Sequence, residues 1–360
     1  MKIINKLLLL HSGFVFLLIF LVAPPVFSQG GKIVSEKIHS SALEKTATGE
    51  SPDRDVAVYL PPGYDASPAK RYPVVYLLHG IGDTHETWLD DGGGDWSHIK
   101  SVMDKSIGEG RLRPMIIVMP DERTKWFGSF YVNSAATGNW EDFTVKDLVN
   151  FIDRKYRTIA KPESRGIAGH SMGGYGAITL GMKHPEIYSV VYGMNPGLIG
   201  WGGDLTIETP AFKSVLEAKT FDDLMPGGVL TIGALTVAQA FSPNPNKPPF
   251  YADFPFAMVG GKLQPNEPAY GKWQANFPVN MVGKYESNLL KLKGLKFDSG
   301  YDDEYRFIPI NSRAFSLVLT SNGIAHVFEE YNGDHRNRMW GRTGRLSTEV
   351  LPYFEMLLEH

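Results

Sequence analysis

Gly169-His170-Ser171-Met172-Gly173-Gly174 sets a serine between glycines two positions before it and two after. Ahead of it, Arg165-Gly166-Ile167-Ala168 reads as a short buried strand. Behind it, Tyr175-Gly176-Ala177-Ile178-Thr179-Leu180 reads as the start of a helix packed through small residues. Strand, sharp turn with serine at the apex, then helix is the setting in which G-x-S-x-G forms a nucleophile elbow. Such a turn is strained, so Gly169 and Gly173 must lack side chains that would clash. A serine hydroxyl is a poor nucleophile at neutral pH and needs a base within hydrogen-bond reach, for which neutral histidine is suited. An acid must then hold the histidine in the right tautomer. On an elbow of this kind the acid and then the base follow the serine along the chain. Four histidines follow it. His184 lies at the end of the elbow helix, His326 at the wrong end of a strand, and His360 is the last residue. His335 stands in the turn Asn332-Gly333-Asp334-His335, just past a strand, and is the expected base. Asp298, Asp302, Asp303, Glu304 and Asp334 are acids in the neighbourhood, with Asp302 and Asp303 in the loop where a carboxylate reaches back to the histidine. Their spacing does not fit a calcium-binding EF-hand loop, and no metal site is expected.

A tetrahedral intermediate also needs donors for its oxyanion. The N–H of Met172 follows the serine at a helix N-terminus and is one of them. The second belongs to the glycine-rich turn His79-Gly80-Ile81-Gly82 after an earlier strand. Trp88, Trp126, Phe127, Phe130, Tyr131 and Trp340 follow strands on the same side, where aromatic rings can stack on a sugar or an aryl acyl group.

Strands alternating with helices must position these groups. Residues 32–39 and 54–60 alternate apolar and polar, as in an antiparallel pair with one wet face. Residues 72–78 (YPVVYLL) and 115–119 (MIIVM) are continuous apolar runs, as in doubly covered central strands. Helices are expected over 96–107, 140–156, 285–292, 310–322 and 346–360, and further strands over 189–194, 294–297 and 325–331. The alternation implies a mostly parallel, doubly wound α/β sheet whose reactive groups collect at the carboxyl ends of its strands. Residues 197–283 break the rhythm. They are rich in proline and glycine, and are read as an irregular insertion over the strand ends that walls a cleft.

Residues 1–28 read as an export signal, with Lys2 and Lys6, an apolar run over 7–23, Pro24-Pro25, and Ser28 before Gln29. The expected mature chain is 29–360, secreted or periplasmic in a bacterium, with no stable membrane anchor after cleavage. The chain has no cysteine, which excludes disulfides, zinc–thiolate sites, a lipoprotein anchor and a cysteine nucleophile. The formal net charge of −3 falls to −5 once Lys2 and Lys6 leave, so a nucleic-acid partner is not expected.

Taken together, Tyr76-Leu77-Leu78-His79-Gly80, the run 115–121 ending Pro120-Asp121, Gly169–Gly174, Gly300-x-x-Asp303 and Gly333-Asp334-His335 resemble the Putative esterase family of α/β-hydrolases. Feruloyl and acetyl-xylan esterases, enterochelin-type esterases, S-formylglutathione hydrolase and the mycolyltransferases are among its members. The resemblance covers about residues 40–196 and 285–358. It implies an α/β-hydrolase fold with no cofactor. It also implies Asp303 as the acid, His335 as the base and, from the mycolyltransferase branch, the Ile81 N–H as the second oxyanion donor. The implied activity is that of an exported serine carboxylesterase acting through an acyl-enzyme on small-molecule or polysaccharide-linked esters, of feruloyl or acetyl type. An acyltransferase or a siderophore esterase on the same scaffold is the alternative, and a catalytically dead carbohydrate-binding module the outside option. The insertion 197–283 departs from the compact feruloyl esterases.

Overall fold

A computed structural model describes residues 30–89 and 93–360; the expected export signal lies outside the described residues. Eight strands form one sheet: β1 (Lys32–His39), β2 (Asp53–Leu60), β3 (Val74–Leu78), β4 (Ile116–Pro120), β5 (Arg165–His170), β6 (Val190–Met194), β7 (Gly294–Gly300) and β8 (Val327–Tyr331). Their spatial order is β1-β2-β4-β3-β5-β6-β7-β8. β2 runs antiparallel to both of its neighbours, and every pairing from β4 to β8 is parallel.

Alternation along each strand sorts the core into two layers. Val74, Tyr76, Leu78, Ile167 and Val191 face one of them. Helix α2 (Trp140–Asp142, Phe143–Leu148 and Val149–Lys155), α3 (Met172–Lys183) and α8 (Phe307–Ser321) supply residues to that layer. Val75, Leu77, Ala168 and Val190 face the other layer, with α1 (Ile99–Gly108) and the C-terminal run Leu346–Val350 and Leu351–Leu357. The middle of α2 is a π turn where one continuous α-helix was expected. The Thr144 hydroxyl lies 2.7 Å from the Trp140 carbonyl and 2.8 Å from Glu122 Oε1, a side-chain competitor of the sort that loosens helix bonding.

Register brings the strand ends together. Leu78 pairs with Gly169, His170 with Met194, Met194 with Asp298, and Gly300 with Tyr331. β7 is three residues longer than expected, so Asp298 lies inside the sheet.

The segment 197–283 is more regular than its composition suggested. It holds α4 (Pro210–Glu217), α5 (Gly228–Phe241), a hairpin of Phe256–Val259 and Lys262–Pro265, α6 (Ala269–Asn276) and the start of α7 (Pro278–Leu289, kinked at Tyr285). Aromatic contacts organise it. The Trp201 ring stacks on Trp273 at 5.6 Å, and Phe212 meets Phe256 edge-on at 4.7 Å. Short helical patches, one of them within 224–240, are legible in this segment, and Gly228–Phe241 realises that one, while the packing of rings fixes how the patches sit together.

Candidate active site

Ser171 sits immediately past β5 with φ 57° and ψ −115°, a conformation that costs a non-glycine residue and persists only where the surroundings enforce it. They do so through close approach. A Cβ on Gly169 would lie 2.3 Å from the Gly173 carbonyl oxygen, and one on Gly173 would lie 2.2 Å from that of Leu78. The Ser171 N–H donates to the Met194 carbonyl on β6 at 2.9 Å. The Ser171 carbonyl accepts from Tyr175 and Gly197, each at 3.0 Å. Met172 opens α3, so its N–H is one of the donors that a helix leaves without an intrahelical acceptor.

His335 follows β8 and is 3% exposed, while Asp303 follows β7 and is fully buried. The imidazole Nδ1–H donates to Asp303 Oδ2 at 2.7 Å, and Asp303 Oδ1 accepts from the Tyr305 N–H at 2.9 Å. Tyr305 lies edge-on against the His335 ring at 5.0 Å. Burial is the main influence on both ionisable groups. It lowers His335 to about 4, although Glu304 opposes the shift, and raises Asp303 to about 7, although the Tyr305 N–H opposes it. Asp302 has no such contact with the ring, so of the two loop acids it is Asp303 that the fold places on the histidine.

The turn after β3 is fixed by His79, which is buried and held neutral, its pKa lowered by burial. Its Nε2 accepts from the Glu122 N–H at 2.9 Å, which leaves the proton on Nδ1 to be donated to the Gly80 carbonyl at 2.8 Å. In a trans peptide the next N–H points the opposite way from that carbonyl, so pinning the Gly80 oxygen also aims the Ile81 N–H. A Cβ on Gly80 would come within 3.5 Å of the Ser171 Cβ, which places this turn against the elbow.

Three supporting groups lay outside the sequence reading. His170, inside the elbow motif, donates from Nε2 to the His335 carbonyl at 2.7 Å, and burial keeps its pKa well below the ordinary histidine value. Asn195, immediately past β6, donates from Nδ2 to the same carbonyl at 3.2 Å and accepts from the Gly300 N–H at 2.8 Å. Its position just after a strand end was the available signal. Beneath them Arg345 donates to buried Asp298 at 2.7 Å and to Glu329 at 2.8 Å, while the Tyr192 hydroxyl donates to Asp298 at 2.7 Å.

Ser171 and His335 open into one cavity of about 800 Å³, counting its mouth. Ile81, Met172 and Phe130 line it from the core, and α4, α5 and α6 of the insertion supply much of the remaining wall. Phe130 is the one residue of the six aromatic candidates that reaches this cavity. Trp88 is fully buried and pairs edge-on with Trp340 at 6.1 Å, in the core layer beside α1. Trp126 meets Phe221 at 5.1 Å and Phe250 at 6.5 Å, and Phe127 stacks on Phe221 at 5.6 Å. These last two rings hold the insertion onto the core. Tyr131 is buried too, its hydroxyl donating to the His79 carbonyl at 2.8 Å. Among the described residues no group of His, Asp or Glu is arranged to hold a metal ion.

Residues 49–343 match the family model described as Putative esterase. Esterase Rv1288 of Mycobacterium tuberculosis is 34% identical over 143 residues, which cover 39% of this chain and 28% of the relative. The endo-1,4-beta-xylanase/feruloyl esterase of Xylanibacter ruminicola is 31% identical over 134 residues, 36% of this chain and 18% of the relative. The matched segment is thus a minor part of either relative's length. A solved ferulic acid esterase superposes with a TM-score of 0.63 at 22% identity, covering 91% of this chain and 99% of the other. At that identity the likeness is one of fold, the α/β-hydrolase fold.

Proposed function

The chain belongs to the Putative esterase family of ester hydrolases, and on that premise we propose that it is a serine carboxylesterase working through an acyl-enzyme. The observation that carries this reading is the 2.7 Å contact between His335 and Asp303 at the cavity wall that also presents Ser171 on its strained turn. In the proposed cycle His335 Nε2 takes the Ser171 proton as Oγ attacks the ester carbonyl. The N–H groups of Met172 and Ile81 stabilise the oxyanion. The tetrahedral adduct collapses as His335 protonates the departing alcohol, which leaves an acyl-Ser171. A water molecule, deprotonated by His335, then releases the acid and restores the serine. Asp303 holds the imidazole with its proton on Nδ1 and stabilises the imidazolium.

The activities of relatives, feruloyl esterase among them, support sugar-linked acyl esters as the substrate class. The apolar lining of the cavity, with Leu205, Phe212 and Val237 in its wall, supports a bulkier acyl group than acetyl. The leader-like composition of residues 1–28 supports export. The test is hydrolysis of p-nitrophenyl butyrate together with labelling by a fluorophosphonate. Both should vanish in Ser171→Ala, and retention of most of the turnover by that variant would refute the assignment.

A further inference from the structure

The acyl end of the substrate can be read from where the cavity keeps its polar atoms. The walls given by the insertion and α8 are apolar, with Leu205, Phe212, Val229, Leu230, Val237 and Ile308 prominent. The two polar side chains in the insertion's walls already have partners. The Thr209 hydroxyl donates to the Asp204 carbonyl at 2.7 Å and accepts from the Thr206 N–H at 2.8 Å. The Trp273 indole N–H donates to Ser242 Oγ at 3.0 Å. Charged and titratable groups collect at the reacting end and the rim instead. His335 and Tyr305 stand together, and Arg336, half-exposed, reaches Asp83 at 3.3 Å.

Helix α5 fits this division. It presents Val229, Leu230, Gly233, Ala234 and Val237 to the cavity, a spacing that puts them on one helical face. An 18-residue window within Asp222–Phe241 has a mean hydropathy of 1.5, the length and composition of a membrane span, yet more than half of that window is buried inside this molecule. One consequence of that composition is a greasy wall facing the nucleophile.

Resting on the serine-esterase reading above, we propose that the insertion builds an acyl pocket for a wholly apolar acyl group. A medium-length aliphatic or unsubstituted aryl acyl group is preferred over acetyl and over hydroxylated aryl groups such as feruloyl. The alcohol then leaves by the charged rim at Arg336 and Asp83. Two physical consequences follow. Each methylene moved from water into such a pocket is worth about fourfold in kcat/KM until the pocket is full. A ring hydroxyl carried in without a partner loses its water, a penalty of about tenfold or more.

The experiment compares p-nitrophenyl acetate, butyrate and octanoate, and methyl cinnamate against methyl ferulate, on the full chain. Octanoate should exceed acetate by about a hundredfold in kcat/KM, and cinnamate should exceed ferulate by about tenfold. Ala234→Phe should lower the octanoate-to-acetate ratio by about tenfold by filling the pocket. Val229→Asp, at a position 39% exposed and so tolerant of charge, should lower it as well. Both variants are checked for an unaltered melting transition, and Val229→Asp carries the test should Ala234→Phe not fold. Acetate equal to octanoate, ferulate equal to or above cinnamate, or ratios untouched by a folded variant would overturn the proposal. Ser171→Ala separates the two levels. A variant that still turns over esters refutes the serine mechanism itself, whereas a dead variant combined with an acetate or ferulate preference refutes only the acyl pocket.

Discussion

The strand-end core and the insertion hold their parts in opposite ways. In the core, buried polar groups are tied to one another: Asp303 to His335, His170 and Asn195 to the His335 carbonyl, Arg345 to Asp298. In the insertion rings on rings are prominent, as in Trp201 on Trp273 and Phe212 on Phe256, with hydrogen bonds such as Trp273 to Ser242 beside them. Hydrogen bonds are directional and costly to leave unmade, so they set atoms to fractions of an ångström. Apolar packing is non-directional and tolerates exchange of similar volumes, so it suits a wall whose shape sets what fits. Under the proposed function, the first region carries the bond chemistry and the second the choice of substrate.

Four experiments would break or sharpen that division. The largest effect is expected in Asp303→Asn, which keeps the shape but favours the wrong imidazole tautomer. Its kcat should fall by about 10⁴-fold with the fold intact by circular dichroism, and a loss under tenfold would remove Asp303 from the machinery. Arg345→Met should destabilise the protein by about 3–5 kcal/mol in a denaturant titration, because it strands Asp298 inside the sheet. Adding Asp298→Asn should restore part of that loss, and a fully additive double variant would show that the two side chains do not act as a pair.

Trp126→Ala probes the seam between the regions. It should cost about 2 kcal/mol through lost packing on Phe221 and Phe250 while Ser171 still takes up fluorophosphonate. Unchanged stability with a raised KM alone would make Trp126 a substrate contact and blur the division. The smallest effect is the pH response. Asp303 and His335 share a proton across their contact, and the carboxylate with a neutral imidazole, the form a base requires, lies above the upper step at about 7. kcat/KM should therefore fall about tenfold per pH unit below that value and level off above it. An acid limb near the ordinary carboxylate value of about 4 would contradict the coupling.

Much of the sheet was legible in the sequence, because continuous apolar runs such as 72–78 and 115–119 have few other ways to be satisfied. Boundaries shifted where tertiary contacts intervened. Helix 96–107 is realised as Ile99–Gly108, 285–292 as the last turns of Pro278–Leu289 past a kink at Tyr285, and 325–331 narrows to Val327–Tyr331. The aromatic residues were the least legible. A ring just after a strand end can turn to either core layer or to the cavity, and Trp88, Trp126, Phe127 and Trp340 turned away from the cavity while Phe130 turned toward it.

The sequence by itself indicated the elbow, since the glycines two before and two after Ser171 and the order serine, acid, base are written along the chain, although the Leu78 carbonyl that bars a Cβ from Gly173 comes from a neighbouring strand. Only the tertiary structure decided that Asp303 and not Asp302 touches His335, that His170 and Asn195 brace its carbonyl, and which rings face the cavity. Those contacts join residues up to 165 positions apart. Their geometry depends on strand register and on which way a side chain leaves the backbone, neither of which is encoded in residue type or spacing.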